Sequence, residues 1–176
     1  MRDQITKTYK AYCNQVHQLL SELESVPDAL LNQNPVKGGW TAIQTMHHLI
    51  MSEEQSLVYV RKKMSFNPVF ERAGIGSYMR SFALWLMLTS PIKFRAPKFI
   101  AEAYLPANES LANTRKRWEA IQQEWLHFFA ELPTELLPKT VYKHPRAGRQ
   151  TFRQMVWFFR WHFKRHRKQI MRAIGK

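Results

Sequence analysis

The sequence contains a single cysteine, Cys13, among its 176 residues. One thiol cannot form an internal disulfide framework, and it cannot supply the several thiolates of a zinc–sulfur cluster. A lone cysteine fits a reducing, cytoplasmic setting. A metal site in this chain therefore cannot be a thiolate cluster.

Long hydrophobic runs are also absent. Residues 1–7 lack the apolar stretch of a secretory signal, and the longest apolar run, residues 82–88, is far too short to cross a bilayer. We therefore expect a cytoplasmic protein with no membrane partner. The 45% hydrophobic and 23% charged content is ordinary for a globular chain. The length fits one domain, which we expect to cover residues 1–176.

Acidic residues are scarce, since 13 Asp and Glu stand against 27 Lys and Arg, which gives a formal net charge of +14. Such a charge attracts phosphate-rich or anionic partners. The basic residues are spread along the chain, however, and concentrate only near the C-terminus. The sequence has no helix-turn-helix, zinc-finger or RNA-recognition motif. We therefore expect a solvated basic surface rather than specific nucleic-acid binding.

Apolar residues recur at helical spacing in four long segments, and no strand pattern persists, so the chain is predicted to be all-α. The predicted helices cover residues 2–25, 41–64, 111–130 and 151–170. Thr41, with Gln44 three residues on, is a predicted N-cap of the capping-box type, and Thr151 is predicted to cap the last helix. Residues 138–149 are predicted to form a loop with an extended section around Val141 and Tyr142.

Residues 65–110 are the least regular stretch, and we interpret them as an elaborated connection between the second and third main helices. A turn at residues 74–76 precedes a helix predicted for residues 77–89, and three prolines interrupt residues 91–106. This helix carries more large apolar residues than one small bundle needs to cover. We therefore predict that it contributes to a homodimer surface.

The last predicted helix carries His162 and His166, four residues apart, so both rings lie on one helix face and can bind a single metal ion. The alternative is a pair of packed or solvated histidines without function. Arg165 sits beside the histidine face. Most of the positive charge projects to the opposite side, on Arg153, Arg160, Lys164, Arg167 and Lys168. A third metal ligand must come from elsewhere.

The second predicted helix offers His47 and His48 as further candidates. Periodicity does not choose between them, because His47 lies near the edge of the main apolar arc and His48 lies more nearly opposite it. A helix in a bundle has neighbours on two sides, so either ring can face inward. His127, in the third predicted helix, is more typical of structure or surface than of a ligand.

These residues together resemble the DinB-like family of metal-binding four-helix bundle proteins. The resemblance extends over residues 14–170. It consists of Gly39-Trp40-Thr41, Gln44, His48-Leu49, Glu53, the His144-Pro145 and Gly148 loop, the HxxxH pair His162 and His166, and Gln169-Ile170.

The resemblance implies a four-helix bundle with a three-histidine metal site, whose ligands map onto His48, His162 and His166. It thus favours His48 over His47. Three neutral imidazoles leave an open position for water or substrate, as at catalytic zinc sites, and imidazole suits nickel equally well. Zinc or nickel bound there would lower the pKa of water or of a substrate thiol toward neutrality.

The characterised members of this family are metal-dependent thiol S-transferases, mycothiol-dependent isomerases or hydrolases. The resemblance therefore implies a divalent-metal enzyme that acts on a small molecule, with a low-molecular-weight thiol as co-substrate. An anionic group on that thiol would be attracted by Arg165. The alternative is a non-catalytic, stress-associated or nucleic-acid-contacting binding protein with a structural or vestigial metal site. No general base can be named, because Glu53 lies more than a helix turn from His48.

Overall fold

The computed structural model describes residues 2–36, 38–66, 68–90 and 105–176. Residues 91–104, part of the predicted connection, lie outside the described residues. The described elements are helices α1 (Arg2–Leu23), α2 (Asp28–Leu31), α3 (Ala42–Ser65), α4 (Ile75–Thr89), α5 (Leu111–Glu131) and α6 (Phe152–Ala173), a 3-10 turn (Thr134–Leu136), and strands β1 (Tyr142–His144) and β2 (Gly148–Gln150).

The four long helices α1, α3, α5 and α6 pack together around one large hydrophobic core. Helix α1 contacts α5 and α6, and α3 contacts the same two helices, so α1 and α3 lie diagonally opposite each other. The predicted helical fold class is confirmed. Within the described ranges, no helix combines the length and the apolar character that crossing a bilayer requires.

Capping boxes fix the starts of α3 and α6. The Thr41 side chain accepts from the amide of Gln44, whose side-chain oxygen accepts from the amide of Thr41. Thr151 and Gln154 repeat the same pair of bonds at the start of α6. Such caps contribute about 1 kcal/mol each to helix stability. Both predicted N-caps are confirmed, and they set the register of the helices that carry the candidate ligands.

Strands β1 and β2 form an antiparallel hairpin that the sequence prediction of a loop missed. Each strand has three residues, which is too short for an alternating pattern to stand out. His144 tightens the turn, because its Nδ1 accepts from the amides of Arg146 and Ala147 at 3.1 Å each. Gly148 comes next with φ of 66°, in the left-handed region that favours glycine.

Helix α4 packs on α6 and β2 with one face and leaves the other exposed. On the inner face Ser77 donates to the Gln154 side chain at 2.9 Å, and Ser81 accepts from Gln150 at 3.0 Å. The outer face is apolar and consists of Ile75, Tyr78, Met79, Phe82 and Leu86, each more than half exposed. We call these five residues the α4 apolar face.

The core holds a buried carboxylate, Glu53, which is 1% exposed. Its Oε1 accepts from the Tyr12 hydroxyl at 2.5 Å and from Trp118 Nε1 at 2.8 Å, and its Oε2 accepts from the Tyr9 hydroxyl at 2.7 Å. Burial raises the pKa of Glu53 to about 7, although these hydrogen bonds favour the charged form. The network ties α3 to α1 and α5.

Replacing Glu53 by leucine should lower the free energy of unfolding by about 3 kcal/mol, because three buried donors lose their acceptor. The matched control is Glu124→Leu, since Glu124 forms an ion pair with Arg61 and its side chain is 52% exposed. That control should cost less than about 1 kcal/mol. Urea unfolding followed by circular dichroism measures both. A Glu53→Leu protein as stable as wild type would contradict a structural role for the network.

Candidate metal centre

Three histidines from two helices converge inside the bundle: His48 on α3, and His162 and His166 on α6. One ring nitrogen of each lies within 4.8 Å of the other two, and Nε2 of His48 is 3.0 Å from Nε2 of His162. A tetrahedral zinc ion with bonds of 2.0–2.1 Å separates its ligand atoms by roughly 3.3 Å. The spacing of these nitrogens therefore suits three ligands of one ion.

The protonation of His166 is set by a neighbour on its own helix. His166 Nδ1 lies 3.0 Å from the side-chain oxygen of Gln169. Because an amide oxygen only accepts, Nδ1 carries the proton and Nε2 keeps its lone pair. Gln169 thus holds the tautomer in which the free nitrogen is available to a metal, the role that outer hydrogen bonds have at histidine sites.

Burial keeps all three rings neutral. It lowers the pKa of His48 to about 3 and the pKa of His166 to about 4, and it lowers the pKa of His162 well below the ordinary value. Repulsion from His166 further lowers the pKa values of His48 and His162, and Arg165 lowers those of His162 and His166. Neutral imidazole is the form that binds metals.

Aromatic rings wall the site and hold the imidazoles in place. Trp40 lies against His48 with ring centroids 4.8 Å apart, and Phe158 stacks on His162 at 5.0 Å. His144 in turn packs on Phe158 at 4.4 Å, so the hairpin supports the ring that supports His162. The spacing of Phe158, one helix turn before His162, was visible in the sequence. Trp40 lies before the start of α3, so helical periodicity could not predict its contact with His48.

His47 is buried too, but it faces α5 instead of α6. Its Nδ1 lies 3.0 Å from an Arg117 nitrogen and its Nε2 lies 3.1 Å from the Thr114 hydroxyl. Since the guanidinium only donates, Nδ1 is the acceptor and Nε2 carries the proton. Arg117 is held by Glu54 through two further bonds. The structure thus brings His48, and not His47, to the α6 pair. His127 is a surface residue near Glu131.

Arg165 borders the histidines, as predicted, but its guanidinium has other partners. Nη1 donates to the carbonyls of Ser90 at 2.8 Å and Leu88 at 3.1 Å, at the C-terminal end of α4. It therefore caps α4, where a positive charge is favourable. Of the basic row predicted to face outward on α6, Arg153, Lys164 and Lys168 are exposed, Arg160 is half-buried, and Arg167 pairs with Glu22.

Comparison with protein families assigns the chain to a superfamily. The family model of the DinB superfamily matches residues 14–170. The chain belongs to the DinB superfamily. That assignment confirms the resemblance on which the choice of His48 depended, and it covers every element that contributes to the histidine cluster.

Several curated proteins are similar to this chain at low identity. A Bacillus cereus (strain 03BB102) protein and a Bacillus thuringiensis subsp. konkukian (strain 97-27) protein are each 24% identical over 165 residues, covering 86% of this chain and 80% of theirs. A Bacillus cereus (strain G9842) protein is 23% identical over 157 residues, 88% of this chain and 76% of its own. All three are named "Putative metal-dependent hydrolase". No solved structure gives a significant match.

The metal-free chain should lose stability as the pH falls from 6.5 toward 4. His48, His144 and His166 have folded pKa values of about 3, 4 and 4 against 6.5 in the unfolded chain, so the unfolded state takes up more protons in this window. Each unit of depression corresponds to about 1.4 kcal/mol. Glu53 has the opposite sign, because its folded pKa of about 7 exceeds its ordinary 4.5, and it offsets part of the loss.

Urea unfolding in the presence of a chelator, at several pH values across this window, measures the effect. His166→Gln should reduce the acid loss, because it removes one of the titrating rings. The control is His127→Gln, at an exposed position where the substitution should leave the slope unchanged. A free energy of unfolding that stays level or rises on acidification would contradict the buried, neutral assignment of the cluster.

Proposed function

We propose that this chain is a divalent-metal enzyme whose ion is bound by His48, His162 and His166. The observation that carries the proposal is the convergence of three neutral imidazoles from α3 and α6, with two Nε2 atoms 3.0 Å apart. His48 Nδ1 is buried and has no hydrogen-bond partner among the described residues, so its ring is oriented only through Nε2 and its packing. Two ring nitrogens this close can also share a cation as ligands.

The ligand type favours zinc or nickel, because imidazole binds both well. Three protein ligands leave one coordination position open, which is the arrangement of catalytic sites. The ion would supply a Lewis acid that lowers the pKa of a bound water or thiol toward neutrality. The naming of the Bacillus relatives supports a hydrolase, and the wider resemblance supports a thiol S-transferase with a low-molecular-weight thiol as co-substrate.

The chain's own residues would orient the reactants and exclude water. Gln169 holds the proton on the outer nitrogen of His166, and Phe158 stacks on His162. Trp40 packs together with Met51 and Leu105 in a small apolar cluster beside His48. These side chains form a low-dielectric wall in which the charge of Arg165 would favour an anionic reactant.

Glu53 is unsuited to the role of general base. Both its carboxylate oxygens accept hydrogen bonds from Tyr9, Tyr12 and Trp118 in the core. A base must reach the reacting proton within hydrogen-bonding distance. A small anionic substrate with a thiol group carries its own acidic proton, so its activation depends less on a base supplied by the protein.

We expect the purified protein to take up about one zinc or nickel ion per chain, since the described residues offer one set of three ligands. His162→Ala should abolish this uptake, because two imidazoles hold an ion far less well than three. His47→Ala is the matched control, a buried histidine on α3 that faces α5. Elemental analysis after dialysis measures the ratio. Full metal retention by His162→Ala would remove α6 from the site, and loss in His47→Ala but not in His48→Ala would reverse the choice between the neighbours.

The function itself is tested by turnover of electrophilic substrates and of esters by the metal-loaded protein, with and without low-molecular-weight thiols. Thiol-dependent turnover that disappears in His48→Ala supports the transferase, and thiol-independent hydrolysis supports the hydrolase. The alternative is a binding protein that uses the outward basic row of α6. Tight, salt-resistant DNA binding that is lost when Arg160, Lys164 and Arg167 are replaced by alanine would favour that alternative.

We also propose that two copies associate through the α4 apolar face. Arg80 is the one charged residue of α4, and by helical geometry it lies on the side opposite Phe82, so two such faces can meet without burying like charges. Replacing Phe82 by arginine should therefore convert the dimer to a monomer, as measured by light scattering. The control is Val58→Arg, an exposed apolar position on α3. A monomeric wild type would contradict the proposal.

A further inference from the structure

A cleft of about 310 Å³ opens between the hairpin, the start of α4 and the loop that precedes α4. Three arginines line it, Arg72 from the loop, Arg80 from α4 and Arg149 from β2. The acidic residue on its wall is Glu71, so the lining carries a net charge of two positive units. None of these residues belongs to the histidine cluster.

The three guanidinium groups have no carboxylate partner among the described residues. Other arginines of the bundle do form ion pairs, namely Arg61 with Glu124, Arg117 with Glu54 and Arg167 with Glu22. These arginines are solvent-exposed, and three like charges on one concave surface raise the local positive potential, which attracts anions. The cleft is therefore an electrostatically uncompensated site within the part of the chain that the structure describes.

The backbone holds these arginines in place. The loop is tied to the segment before β1, because the amide of Ala73 donates to the carbonyl of Pro138 and the amide of Thr140 donates to the carbonyl of Glu71, each at 2.9 Å. Arg72 lies between these two bonds, in a bridge with Lys139. Arg149 is paired with Lys143 across the hairpin.

Arg80 is fixed by its own side chain. Its Nε donates to the carbonyl of Ala147 at 3.0 Å, in the turn of the hairpin. The side chain lies against two glycines, since a Cβ on Gly76 would be 3.4 Å from Nη1 and a Cβ on Gly148 would be 3.5 Å from Nε, both ordinary contact distances. The described residues accept no hydrogen bond from its two terminal nitrogens, which leaves those donors for a ligand.

We propose that this cleft binds the phosphate group of a small molecule. Guanidinium pairs with phosphate through two parallel hydrogen bonds, and three such groups on fixed supports match its several oxygens. The volume lies at the lower end of ligand pockets, which suits a phosphate with a small substituent rather than a large cofactor or a duplex. The site is distinct from the histidines, because Gln154, which accepts from Ser77 in the cleft wall, precedes His162 by eight residues of α6, or roughly 12 Å.

Titration calorimetry on the full, chelator-treated chain tests the proposal, with inorganic phosphate, phenyl phosphate and acetate as probes at about 0.15 M ionic strength, where surface charge is screened. Wild type should bind a phosphate probe saturably and acetate far more weakly. The double variant Arg72→Gln with Arg149→Gln should weaken phosphate binding by about tenfold or more, since charge-assisted hydrogen bonds are lost. Neither side chain makes a hydrogen bond within the described residues, so this variant should fold normally.

The matched control is Lys10→Gln with Lys116→Gln, which removes the same charge from exposed positions on α1 and α5 and should leave binding within about twofold. Tighter binding of phenyl phosphate would identify an organic phosphate as the ligand, and tighter binding of inorganic phosphate would identify the free ion. His162→Ala should bind phosphate as wild type does, which separates this result from the metal site.

Four results would overturn the proposal. The first is that wild type shows no saturable binding, and the second is that the two double variants weaken binding equally. The third is that His162→Ala loses phosphate binding. The fourth is that a short DNA duplex binds more tightly than either phosphate and that the cleft variant loses this DNA binding. The first three mean that the arginines form no specific site of their own. The last means that they belong to a nucleic-acid surface.

Discussion

The packing of α3 against α6 is the contact on which the candidate site depends. It brings an imidazole from each helix to a nitrogen separation of 3.0 Å in a buried place. Two positively charged rings would each carry a proton on the facing nitrogen and would repel. Burial lowers the pKa values of both histidines and so keeps the rings neutral. A bundle that separated these helices by one further layer of side chains would isolate His48 from the His162 and His166 pair on α6.

The rotation of α3 about its axis is held from its other side. Glu53 lies five residues after His48 and accepts three hydrogen bonds from α1 and α5. His47 donates to Thr114 and accepts from Arg117, both on α5. With these groups fixed toward α1 and α5, His48 is left to face α6. The buried polar residues of α3 thus act together, although they belong to different hydrogen-bond networks.

Much of this fold could be predicted from the sequence, and the limits of the prediction have physical causes. Helical spacing and the capping threonines Thr41 and Thr151 located α3 and α6 to within a residue or two at their starts. Periodicity could not choose between His47 and His48, because α3 is buried on two sides and both rings are interior. The family resemblance made the choice, and the structure brings the chosen ring to the pair. Metal binding by that cluster stays a prediction.

Other features depended on contacts between distant segments, which spacing along one helix does not reveal. The partners of Arg165 are carbonyls at the end of α4, more than seventy residues earlier in the chain. The hairpin escaped notice because its strands are short. The arginines of the cleft come from three separate segments. Their juxtaposition results from the packing of α4 on α6 and β2, whereas the apolar residues of α4 led only to the prediction of a homodimer surface.

The neutral character of Gln169 has an electronic consequence for any cation at the histidine cluster. Histidine ligands often donate their outer proton to a carboxylate, which adds negative charge and makes the ring a stronger electron donor. Here an amide orients His166 without adding charge. With three uncharged ligands, a divalent ion would keep its full formal charge at its open coordination position. An ion in such a shell would be a stronger electrophile than one that shares its charge with a carboxylate.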